Sequence, residues 1–166
     1  IINRIANFAN EFIGKYPHQK ILVSQTNYDR NPFYGLNQLP QFLNPFEDDF
    51  LFEIKFLKTY LETYLKTSLH LDPRKDNWIY DAIQMDAMIQ YIEQYHAQAT
   101  MLGKASNFKI LKSYNLANLK FNEQYSYFYM LMARKNLDQA LGSPKTDLIK
   151  FNEQIASKYR AGLSIR

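Results

Sequence analysis

The chain has 166 residues, 46% of them hydrophobic, with 20 basic against 16 acidic residues for a net charge of +4. That is enough for one core, and no linker rich in Pro, Gly or Ser divides the chain, so residues 1–166 are expected to form a single domain. The absence of cysteine excludes disulfides and thiolate metal sites. The charges are interspersed rather than blocked, which argues against a nucleic-acid surface, and no apolar run approaches the ~20 residues that span a bilayer.

The first residues, Ile1-Ile2 with no initiator Met, and a helical pattern still running at Arg166 lead us to expect a piece of a longer protein. Thirteen Tyr and twelve Phe are assigned mainly to packing, because aromatic stripes at helical spacing are core far more often than ligand site.

In chain order, Ile1, Ile2, Ile5, Phe8, Phe12 and Ile13 trace one face of a helix that Gly14 ends. Lys20-Ile21-Leu22-Val23-Ser24-Gln25 is too short and too β-branched for a helix and predicts a strand. Residues 26–45 read as a loop rich in Asn and Pro. Asn44-Pro45 followed by Glu47, Asp48 and Asp49 opens a helix through Phe50, Ile54, Leu57, Leu61, Tyr64 and Leu65, with Glu62 and Lys66 as an i, i+4 pair. Pro73 interrupts, Asp76 or Asn77 caps the next helix, and that helix runs from Trp78 to about His96. Asp81, in its first turn, is favoured there by the macrodipole; Asp86, Glu93 and Gln94 read as solvated. A short helix around Phe108 to Tyr114 comes next, then one from Asn122-Glu123 to Leu141 stopped by Gly142-Ser143-Pro144, and a last one restarting at Thr146-Asp147. Phe-Asn-Glu-Gln occurs at Phe121 and Phe151 without matching flanks and is not a repeat.

Four segments resemble those of the M1-family zinc aminopeptidases, the gluzincins. Trp78-Ile79-Tyr80-Asp81-Ala82-Ile83-Gln84 resembles W-L-N-E-G-F-A, which places Asp81 at the third zinc ligand. Phe12 to Ile21 is similar to the F-G-x-Y-P-Y-x-K-L stretch that leads into the active site, and Gly35-Leu36-Asn37-Gln38 stands at the G-x-M-E-N motif whose glutamate grips the substrate's amino end. Asn37 replaces that acid, so the charge-assisted contact is lost. Lys158-Tyr159-Arg160-Ala161-Gly162 resembles Y-x-K-G, which implies for Tyr159 the hydroxyl that steadies a tetrahedral intermediate, although Ala161 replaces the lysine.

The family's zinc helix carries H-E-x-x-H, because histidines at i and i+4 share a helix face and the glutamate acts on bound water. Counting nineteen residues back from Asp81 gives Glu62 at the second-histidine position, with Lys58 and Thr59 at the first histidine and the general base. His18, His70 and His96 are scattered, and none pairs with another at ligand spacing. The resemblance implies a mainly α fold, a multi-helix domain with a short β remnant like the helical part of a gluzincin peptidase domain. It implies an inactive relative with vestigial residues at Asp81 and Tyr159, a degenerate binding position at Asn37 and Gln38, no cofactor, and a peptide or a neighbouring domain of its own polypeptide as partner. Two alternatives stand beside it. One is an active zinc aminopeptidase whose missing ligands lie outside the chain; the other is an unrelated helical interaction module in which Trp78 and Asp81 are core and cap.

Overall fold

The computed structural model describes residues 1–31, 44–72, 74–107, 109 and 115–166. The chain is mainly helical, as its periodicity predicts. Helix α1, Ile2–Phe12, buries Ile5, Phe8 and Ala9. Gly14 follows at φ +118, a conformation that favours glycine, and the Tyr64 hydroxyl donates to its carbonyl.

No strand forms at residues 20–25. Ile21 and Val23 pack half-buried against the core, and Ser24 instead starts helix α2, Gln25–Arg30, its Oγ accepting from Asn27 N at 3.2 Å. A β-branched run needs a neighbouring strand to pair with. Here the local serine cap competes for the backbone and wins. Among the described residues, the β remnant reduces to one isolated antiparallel bridge, Thr100 to Lys120.

Helix α3, Asp48–Ser68, and helix α4, Asn77–Tyr95, form the centre. Ile54, Leu57, Leu61 and Tyr64 from α3 share one core with Met85, Met88, Ile89 and Ile92 from α4 and with Ile5 and Phe8 from α1. Asp48 and Asp49 lie in the first turn of α3, where the macrodipole favours acids. Asp76 is the N-cap residue of α4 but makes no side-chain cap; its carboxylate accepts from Asp72 N. Asp86 is a correction to the solvated reading: it is 8% exposed, and Gln90 Nε2 donates to it.

Under α1, the carboxylate of Glu53 is 4% exposed and accepts from Arg4 and from the Tyr91 hydroxyl. His96 Nε2 lies 3.3 Å from the same oxygen, in ionic range but outside hydrogen-bond alignment. Burial alone pushes this carboxyl up; the bonds from Tyr91 and Arg4 and the nearby His96 overcome that and hold it below the ordinary range.

Helix α5 is Glu123–Ala133, shorter than the predicted run to Leu141. Asn136, at φ +52, ends it: Asn136 N bonds Ala133 O and Leu137 N bonds Met132 O, the paired turn bonds of a left-handed C-terminus. After Pro144 the chain makes only a 3-10 turn, Lys145–Asp147, where a helix start is predicted. A π-helical turn, Asn152–Ala156, then runs into helix α6, Ser157–Ile165. Helix α6 lies directly on α4. A Cβ added to Gly162 would stand 2.4 Å from the Met85 Cβ, so glycine is what lets the two backbones approach this closely. Among the described residues, no helix is long and apolar enough to cross a membrane.

Candidate functional site: a cleft of paired charges between α2, α3, α4 and α6

The polar side of α3 faces the start of α4 and the start of α6, and the end of α2 lies beside it. Lys58 and Glu62, one helical turn apart, share that face. The Gln84 side-chain amide of α4 donates to the Lys58 carbonyl at 2.7 Å and so fixes the register between the two helices. Asp81, one turn before Gln84, is paired with Lys158 of α6, Nζ to Oδ1 at 3.0 Å, while Asn77 Nδ2 donates to its other oxygen at 2.8 Å.

At the end of α2, Asn31 bridges two of these residues. Its amide nitrogen donates to Glu62 Oε2 at 2.7 Å, and its oxygen accepts from Lys58 Nζ at 2.5 Å. Lys66 closes the set with a 2.5 Å bond to Glu62 Oε1. Of the sequence positions picked out by motif spacing, 62 and 81 line one pocket and Lys58 is buried beside them. Two cavities open there. A groove of about 250 Å³ is lined by Asn27, Arg30, Asn31, Thr59, Glu62 and Lys66 among others. An inner pocket of about 50 Å³ is lined by Glu62, Asn77, Asp81, Gln84, Lys145 and Lys158 among others.

The electrostatics follow from this crowding. Burial pushes the Lys58 ammonium down to about 8, and Lys158 pushes the same way, against the pull of Glu62 and Asp81. Burial pushes the Glu62 carboxyl up, but its bond to Lys66 and the fields of Lys66, Lys158 and Lys58 hold it below the ordinary carboxylate range. The site is a net of opposite charges, in which the ammonium groups of Lys58, Lys66 and Lys158 surround the carboxylates of Glu62 and Asp81.

Tyr159, next to Lys158, turns the other way. It is 5% exposed and packs edge-on against Tyr125 with ring centroids 4.9 Å apart, inside the core. Asn37 and Gln38 lie outside the described residues. Motif spacing singles out neither Lys158 nor Asn31. Lys158 stands inside the Lys158-Tyr159 segment, and one residue of helix is ~100° of rotation, so a core-facing Tyr159 is itself the signal that its neighbour faces elsewhere.

These residues do not fit the zinc that the alternative of an active aminopeptidase requires. A metal ligand offers a lone pair, whereas the first-histidine position here carries Lys58, an ammonium bonded to Asn31. The acid at the third-ligand position already has a cation in Lys158. The three histidines stand apart from the cleft: His18 bonds the Thr67 carbonyl at 3.3 Å, His70 is exposed, and His96 sits by Glu53. No family model, no curated protein and no solved structure matches the chain.

Proposed function

We propose that the chain is a catalytically inactive, gluzincin-like peptidase domain whose cleft holds a peptide or a neighbouring domain of its own polypeptide. The observation that carries this reading is that Glu62 and Asp81 line one pocket with Lys58 buried beside them, α3 being packed against α4. Those positions come from the spacing of a zinc site; Lys58 and Glu62 share a face through their i, i+4 spacing, and the packing of α4 on α3 sets Asp81 beside them. The chemistry there is lysine, glutamate and aspartate in place of two imidazoles and a carboxylate. A threonine, Thr59, stands in the general-base position, its hydroxyl donating to the Lys55 carbonyl. Such a set holds charge in fixed positions but offers no activated water, so binding rather than hydrolysis is the function it supports.

The test is to restore the motif. Lys58→His, Thr59→Glu and Glu62→His, combined with Lys158→Ala to clear the ammonium from Asp81, are expected to give about one zinc per chain after dialysis against trace metal. The unmodified chain is expected to take up none. Zinc in the unmodified chain, or peptide hydrolysis by it that a chelator removes, would overturn the inactive reading. A folded quadruple variant that binds no zinc would overturn the relation to gluzincins.

A further inference from the structure

The cleft's charges do not balance. Among the described residues, its two cavities are lined by the carboxylates Glu62 and Asp81 and by the cations Arg30, Lys66, Lys145 and Lys158. Lys66 is paired with Glu62, Lys158 with Asp81, and Lys145 with Glu153 at 3.5 Å. Set against those pairs, the guanidinium of Arg30, in the last turn of α2, is a positive charge in excess at the groove.

The depressed affinity of Lys58 for its proton is the response expected of a buried ammonium that also feels neighbouring cations. The neutral groups do little to change the sign. The Thr59 and Thr63 hydroxyls both donate back to their own helix, and the Asn31 amide already donates to Glu62. A ligand here therefore meets positive charge first.

We propose that this groove binds a carboxylate, the free carboxyl end of a peptide chain, between Arg30 and Lys66 at its mouth. The polarity is the reverse of a site that grips an amino end through a glutamate. A carboxylate suits the cations because N–H donors on ammonium and guanidinium groups meet its oxygens in charge-assisted bonds. The groove, at about 250 Å³, has room for a carboxyl end and the residue that carries it. This inference rests on reading the cleft as a peptide-holding site, but it is tested without reference to zinc.

The experiment uses the full chain labelled with 15N and four probes: N-acetyl-trialanine with a free carboxyl end, the same peptide amidated, trialanine amide with a free amino end, and succinate. The acid is expected to shift the backbone amides of Arg30, Asn31, Thr59 and Thr63, and the two amidated peptides are expected to leave them unmoved. Arg30→Gln with Lys66→Gln, both exposed positions that leave the core untouched, is expected to weaken the acid by about tenfold or more. Added salt should weaken it further.

Equal binding of the amidated peptide, preference for the free amino end, or no binding by any probe would overturn the proposal. So would a double variant that binds as well as the parent. Succinate binding while the peptide acid does not would overturn the peptide end as the ligand and assign the site to free small acids. Carboxylate binding in a chain whose restored motif takes no zinc would leave this proposal standing while the gluzincin reading falls.

Discussion

Glu53 and Lys58 lie five residues apart on one helix, and their environments act on charge in different ways. Glu53 is buried and accepts from Arg4 and Tyr91, so Glu53→Gln is expected to cost about 2–3 kcal/mol, the scale of hydrogen bonds to a charged group. Its carboxyl lies below the ordinary value in the folded chain. Its contribution is therefore full above the unfolded value of ~4.3 and is lost as pH falls through the folded one. Urea titrations across the acid range should show a shallower loss in Glu53→Gln. Lys58 acts in the alkaline range: its folded value of about 8 lies below the unfolded ~10.4, so between the two the unfolded chain binds more protons and stability rises with pH. Lys58→Met should flatten that rise; an unchanged slope would mean that the ammonium is not held as described. Tyr125 is a third case. Its hydroxyl is fully buried with no hydrogen-bond partner among the described residues, and burial, then Tyr159, pushes it well up, so Tyr125→Phe is expected to be neutral or slightly stabilising in thermal melts.

Among the elements, the contact between α4 and α6 is sensitive to a single atom. Gly162→Ala is expected to cost about 1–3 kcal/mol through overpacking, because the new Cβ would meet Met85 at 2.4 Å. Gly142→Ala, where a Cβ meets nothing within 4 Å, should stay within about 0.5 kcal/mol; equal melting shifts for the two would refute the close approach. Helices α1, α3 and α4 are legible in the sequence because their apolar residues recur every three or four positions and because each is bounded by an acid run, a glycine or a proline. Helix α5 reads too long, since Leu137 and Leu141 continue the apolar spacing. The competing signal is Asn136, a residue that tolerates the left-handed turn. The run at 20–25 reads as a strand because periodicity cannot tell whether a partner strand exists, although the serine that caps α2 is visible at Ser24. In the sequence, helical spacing puts 58 and 62 on one face, and only motif spacing links them to 81. Their lysine and asparagine partners are not legible, because pairing across helices has no local signature.

At the scale of the whole molecule, burial is concentrated in α1, α3, α4, α5 and α6, while residues 134–149 between α5 and the π turn are largely exposed. Backbone amides in that segment should exchange hydrogen fastest among the described regions after α5, and those of Leu57, Leu61, Met88 and Ile89 slowest. A uniform exchange profile would contradict a single core centred on α3 and α4. The π turn at Asn152–Ala156 has a further bearing on this arrangement. A turn closed by i to i+5 bonds holds one residue more than an α turn, so it shifts the phase of α6 relative to the segment before it. Upstream, Asn152 is anchored to the Leu137 carbonyl at 2.7 Å; downstream, Lys158 must meet Asp81 and Gly162 must meet Met85. Deleting Gln154 would turn one side against the other by ~100°, and the chain could keep either the Asn152 anchor or the Lys158 pair. The wide turn is thus a gear tooth: it sets which residue of α6 looks into the core and which looks into the cleft.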